Sequence, residues 1–354
     1  MKSEQKHGTS VREILLYVLA LAATAVAVYG FSLLVHRYTV SYEAASPEHV
    51  MERYMEQQLP TELSAAIDEY AMEHETDYQS AGEIAAALRE KLPMERWGYQ
   101  RSVDYTDENP MFTLYCDHHP LGTVALESGS SNLSNFNMDS WQTPAAEFRL
   151  DLLARTVTIV APFGCSVYVN GAELNDDLVQ ETAGIYPQLL DYELILPQAN
   201  QLMLYVVEHV VSDIAVEAEI GCMVLTDEEH AVYYVLPACE AALADSLLVL
   251  AENFTRAHVD FTLNKVSLWG VQQYTVTNGA LYNRLTQDAV GLDWGNGIGA
   301  TITKLEVKDF LYYGNAATCR VSYKMTTNEG LRTESIFLLL VNASEGWRVA
   351  VIEE

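Results

Sequence analysis

The stretch from Ile14 to Val35, ILLYVLALAATAVAVYGFSLLV, contains no charged residue. As a helix rising 1.5 Å per residue it reaches about 33 Å, enough to cross a bilayer core of ~30 Å. Nothing later in the chain matches it. The expectation is one membrane-crossing helix with a large folded body on one side. Lys2, Lys6 and Arg12 precede the run, and His36 and Arg37 follow it. An excess of Lys and Arg on a short N-terminal segment keeps that segment in the cytoplasm, which puts the body outside. A cleaved signal peptide is the rival reading, with a basic start and a small-residue triplet at Ala25-Val26-Ala27. The apolar run continues past that triplet through Val28, Phe31, Leu33, Leu34 and Val35, so an uncleaved anchor is the expectation.

The first thirteen residues carry three basic and two acidic side chains, which leaves 17 Lys and Arg against 47 Asp and Glu, a formal charge of −30. Such a body repels nucleic acid and anionic headgroups. The five cysteines, Cys116, Cys165, Cys222, Cys239 and Cys319, all lie in the body at wide spacing. An odd number cannot all pair within one chain. Buried small hydrophobes are the expected role, and one disulfide fits an oxidising exterior. No CxxC occurs.

After the anchor about 319 residues remain, which suits two or three domains. Residues 40–154 open with Ser46-Pro47-Glu48, an N-cap followed by proline at the first helical position. Helices are expected to Leu59, from Thr61, and from Gly82 to Leu92. Period-two text then predicts strands at 97–105, 111–117, 121–127 and 146–153, around a Ser/Asn-rich loop at 128–140. Residues 155–236 are nearly all strand-like and describe a small β-sandwich, with strands at 156–161, 165–170, 193–196, 202–211, 214–218, 223–225 and 231–236. Asn170-Gly171 is a tight-turn signal. Residues 213–229 echo 156–174: an alternating strand, Gly-Cys, a second strand and an acidic turn. Residues 237–354 begin with a long helix, 238–263, and a shorter one, 279–288. A Gly-rich loop at 291–300 follows, then strands at 302–313, 317–326, 333–342 and 347–352. The chain is therefore α+β.

The last segment, with its long helix, shorter second helix and closing text FLLLVNASEGWRVAVIEE, resembles an NTF2-like (cystatin-like) domain. The first segment is either a more divergent copy of that fold or an unrelated α+β domain. The hairpin text VTIVAPFGCSVYVNGAEL resembles PEGA-like β-domains, with Cys165 and Ser166 where such domains often carry Ala and a polar residue. One membrane helix, NTF2-like modules and a PEGA-like insert together are similar to bacterial envelope proteins of the TcaA type. Conjugation scaffolds of the VirB8/TcpC type also carry NTF2-like domains behind one membrane helix.

The NTF2-like resemblance implies a cavity between helix and sheet, where some members place an Asp or His for isomerase or cyclase chemistry. Around the long helix the polar candidates here are His258 and Asp260, with Asp293 and Tyr312 further on. Cys116-Asp117-His118-His119 is dense in ligand types, yet adjacent His side chains on a strand point to opposite faces, so it reads as a hairpin turn. Gly295-Asn296-Gly297-Ile298-Gly299 follows a helix and precedes a strand, the reverse of a dinucleotide site. No catalytic set, cofactor or metal is assigned. The expected role is a non-enzymatic, membrane-tethered, extracytoplasmic binding or scaffold protein of the bacterial cell envelope. Its partner would be an envelope protein or the cell wall, with oligomers as an option. The alternatives are a small-ligand binder or isomerase/cyclase in the C-terminal domain, or a secretion or conjugation scaffold.

Overall fold

The computed structural model describes residues 11–129, 140–175, 178–196, 202–291, 301–327 and 330–353. The Gly-rich loop with Asp293 and most of the Ser/Asn-rich loop lie outside these residues. The described chain is a mixed α+β protein: an apolar N-terminal helix followed by sheet-rich units. It divides into two compact units, one comprising the chain up to Glu75 with Ser80–Leu153, the other Thr76–Gln79 with Ala154–Glu354.

Helix α1 runs from Val11 to Ala45, 35 residues. It extends past the expected anchor through the segment read as a short linker. The reason is local: residues 36–45 contain neither Gly nor Pro, so nothing stops propagation until Pro47, which disfavours helix in the residue before it. Within α1, the most apolar stretch of Ile14–Glu43 has a mean hydropathy of 2.3, and none of that stretch is buried. It is the one helix among the described residues long and apolar enough to cross a membrane.

The rest of the first unit packs three helices, α2 (Pro47–Gln57), α3 (Leu59–Glu73) and α4 (Ala81–Lys91), with a short antiparallel sheet. Pro60 falls in the first turn of α3, where its missing N–H costs nothing. Ser80 caps α4 in a reciprocal box with Glu83. The strands are β1 (Trp97–Arg101), β2 (Met111–Cys116) and β3 (His119–Ala125). A minor pair, β4 (Glu127–Gly129) and β5 (Ser140–Gln142), and the edge strand β6 (Glu147–Phe148) complete them. The main sheet runs β1-β2-β3-β6. Asp117 and His118 form the β2–β3 turn, with φ of 49° and 69°, so the Asp-His-His text is indeed a hairpin. The core holds Met51, Tyr54, Leu59, Leu63, Ile67, Ile84, Leu88, Phe112 and Leu114. Inside it, the Tyr54 hydroxyl donates to Glu62 at 2.7 Å, and the same carboxylate accepts from the Ala146 N–H at 3.1 Å.

The second unit begins with β7 (Arg155–Pro162), β8 (Val167–Val169), β9 (Ala172–Glu173) and β10 (Val179–Ala183). Next come β11 (Leu202–Val210), β12 (Val216–Ala218), β13 (Met223–Asp227) and β14 (Val232–Leu236). A five-stranded sheet, β10-β11-β7-β14-β13, faces a three-stranded one, β12-β8-β9. Val157, Ile159, Ala161, Val167, Val169 and Val207 are buried between them. Asn170 and Gly171, at φ 50° and 82°, turn β8 into β9. The strand expected at 193–196 is not formed; Pro187–Ile195 is a 3-10 helix. Pro187 sets its first turn, and Tyr186, Leu189, Tyr192 and Ile195, three residues apart, all pack into one core, the period of a 3-10 helix and not of a strand.

The remainder is α5 (Ala241–Thr262), α6 (Leu268–Gln272), α7 (Ala280–Gly291) and four long strands. These are β15 (Thr301–Tyr312), β16 (Ala316–Thr327), β17 (Gly330–Ala343) and β18 (Gly346–Glu353), in sequential antiparallel order. The sandwich and this last segment share a core: Val160, Tyr186, Leu202 and Leu236 pack with Tyr313, Leu339, Val341 and Ala350. Tyr186 closes that seam, its hydroxyl donating to the Val235 carbonyl at 2.8 Å.

Candidate functional site

Between α5 and the β15–β18 sheet the described residues form an apolar cluster. Leu247, Ala251, Phe254 and Phe261 from α5 meet Ala317, Cys319, Val321, Ile336, Leu338 and Leu340 from the sheet, and Val271, Leu281 and Leu285 complete the cluster. All are buried. Burial alone pushes the Cys319 thiol up to about 12.

The polar candidates do not converge here. His258 stacks on Phe254, one turn earlier on α5, with ring centroids 5.7 Å apart. Burial, and then repulsion from Arg284, lowers its imidazole to about 4, against a smaller opposing pull from Asp288. Such a ring is neutral at pH 7 and a poor general base, since an effective base is poised near the working pH. Asp260 lies two residues on, about 200° around the helix, and so on the other side. Its carboxylate is 3.9 Å from the Lys265 Nζ, and its carbonyl accepts from the Lys265 N–H at 2.7 Å, closing the helix end. Tyr312 sits at the opposite end of α5. Its ring is 6.1 Å from Trp347, and its phenol is raised by burial first and then by Cys239 and Glu240, which flank the helix start. From Glu240 to His258 is about 27 Å of helix axis.

Two other clusters stand out, neither singled out as a site from sequence. The first is a cleft of about 400 Å³ in the first unit, lined by Glu69, Tyr70 and Glu73 of α3 and His74 just after it, with Phe148 and Asp151. Tyr70 and His74 stack at 4.1 Å, and the His74 Nδ1 is 2.9 Å from the Tyr70 carbonyl. Burial, then Asp151 and Glu73, raise the Tyr70 phenol. Three carboxylates around two ring faces favour a cationic group over an anionic one. The spacing 69/73 and 70/74 marks one helix face, a legible signal, whereas the approach of Asp151 from 77 residues away is not. The second cluster is Cys165, Glu219 and Cys222, whose sulfur and carboxylate oxygen atoms lie within 4.8 Å of one another. These three donors are one short of the four ligands of a closed structural zinc site. The echo between the two Gly-Cys segments was its trace in the sequence.

No family model matches the chain, and no curated protein matches it. Among solved structures it is similar to one described as "Ntf2 like protein involved in plasmid conjugation". That likeness covers 84% of this chain and 96% of the other, at 7% identity and a TM-score of 0.25. At that level of superposition it assigns no function here.

Proposed function

We propose that this protein is a non-enzymatic, membrane-tethered binding or scaffold protein, anchored through α1, with its acidic body on the extracytoplasmic side of the cell envelope. One observation carries the reading: within Ile14–Glu43 the most apolar stretch has a mean hydropathy of 2.3, and none of that stretch is buried by the rest of the chain. Leu21, Val26 and Phe31 each expose more than two thirds of their surface. Leaving a side chain of that size in water forgoes roughly 1.5–3 kcal/mol, repeated along the helix, and a bilayer removes the cost. The excess of Lys and Arg before the run, Lys2, Lys6 and Arg12 against Arg37 after it, supports the orientation. Among the described residues, the apolar cluster under α5 and the dispersal of His258, Asp260 and Tyr312 weigh against chemistry in the last segment. The role is then positional: folded units held at a membrane surface, presenting acidic surface to a basic envelope protein or cell-wall group. The test is extraction of membranes from cells making the full chain. Retention in the pellet through an alkaline carbonate wash is expected; release into the supernatant would overturn the tether.

A further inference from the structure

Two turns of the second unit are built alike. Pro162-Phe163-Gly164-Cys165 closes with the Cys165 N–H donating to the Pro162 carbonyl at 3.1 Å. Glu219-Ile220-Gly221-Cys222 closes with the Cys222 N–H donating to the Glu219 carbonyl, also at 3.1 Å. In each the third residue is glycine at positive φ, 81° and 94°, as a type II turn requires. In each the second residue is a large exposed apolar one: Phe163 is 68% exposed and Ile220 fully so. In each the fourth residue is cysteine. The ladder between β8 and β12 aligns them. Val216, Glu217 and Ala218 pair with Val169, Tyr168 and Val167, and the Glu219 N–H continues the series to the Ser166 carbonyl at 3.0 Å. At the end of that series the Cys165 and Cys222 sulfurs stand 3.7 Å apart. Cys116, Cys239 and Cys319 lie on other elements.

We propose that Cys165 and Cys222 are a disulfide site that staples these two apolar-tipped turns side by side once the body meets an oxidising compartment. The sulfurs are already in contact, and a bond of about 2.05 Å needs side-chain rotation while the ladder holds the backbones. The co-reactant is a thiol–disulfide donor. Cys222, the more accessible of the two, attacks the donor disulfide as its thiolate, forming a mixed disulfide and releasing one donor thiolate. Cys165 then gives up its proton, attacks the Cys222 sulfur and expels the second donor thiolate. Two protein thiols are oxidised by two electrons, the donor is reduced to two thiols, and the two cysteine protons end on them. The buried Cys165 thiol is raised by desolvation and by Cys222, so ring closure depends on proximity, not on acidity.

The inference rests on the extracytoplasmic reading only for the supply of oxidant, so the experiment supplies it in the tube. The full chain, purified in detergent, is equilibrated in oxidised and reduced glutathione, quenched in acid, alkylated and mapped by mass spectrometry. Of the five thiols, three are expected to remain alkylatable, with a linked peptide joining Cys165 to Cys222. Cys165→Ser is expected to halt at a glutathione adduct on Cys222. Circular dichroism of that variant, and the map of the unaltered chain, keep misfolding from deciding the result. Five free thiols in oxidised buffer, or a linkage between other cysteines, would overturn the site. So would protection of both thiols by added zinc that Glu219→Gln relieves, which makes the cluster a metal centre. A body found on the cytoplasmic side by topology mapping overturns the location alone.

Discussion

At the scale of single residues, His258 shows how a polar side chain near a core differs from a reactive one. Its imidazole is held neutral in the fold, lowered from 6.5 to about 4, whereas the unfolded chain protonates it near 6.5. The unfolded state therefore binds more protons between those values. The resulting stability is present above pH 6.5 and is lost as pH falls towards 4. Allowing for the ring's partial exposure, the loss is on the order of 2 kcal/mol. His258→Leu is expected to flatten that part of the slope, read as the difference between variant and parent in urea midpoint at pH 7 and pH 4.5. An equal slope in both would show the ring to be solvated. The candidates His258, Asp260 and Tyr312 were visible in the sequence, but their separation was not. Periodicity places 258 and 260 on one helix without saying that Tyr312 ends a strand beside the other end of it. In the cleft, the shared helix face of Glu69 and Glu73 was legible, but the approach of Asp151 was not, since it is a contact made by the tertiary fold.

At the scale of elements the sequence was most readable where punctuation was strong. Ser46-Pro47 marks the start of α2, the helices expected from Thr61 and Gly82 begin within two residues of those positions, and the last four strands lie within a few residues of their expected bounds. The reading failed where punctuation was missing or the pattern ambiguous. α1 ran on because residues 36–45 hold no breaker, and Pro187–Ile195 coiled where apolar text suggested extension. The Ser80–Glu83 box on α4 gives a direct check: Ser80→Ala is expected to cost about 1 kcal/mol in equilibrium unfolding. The staple makes a larger prediction. Cys165 and Cys222 are 57 positions apart, and closing a loop of that length stabilises by on the order of 4 kcal/mol when native geometry is unstrained. The oxidised chain should melt roughly 10 °C above the reduced one, and the gap should vanish in Cys222→Ser. Equal midpoints for oxidised and reduced parent would show that the turns are held together without the bond.

At the scale of the whole molecule, the proposed architecture joins an apolar N-terminal helix to a strongly acidic body. On that reading a bilayer covers the helix, and a formal charge of −30 on the body would repel anionic lipid and nucleic acid. Charged substitutions near the centre of the anchor probe this directly. Ala25→Asp with Val26→Asp adds roughly 5–7 kcal/mol to insertion, enough to shift the chain from the membrane fraction to the soluble or degraded one. The same pair of changes leaves the packed cores untouched, because both positions lie in the exposed helix.

The measurement that bears most directly on the account is protease accessibility of the full chain in intact cells stripped of their wall, followed with an antibody to the C-terminal segment. External protease is expected to destroy the body while leaving an N-terminal membrane-embedded fragment. A body that survives until the membrane is permeabilised would contradict the orientation, and one recovered intact in the soluble fraction would contradict the tether itself.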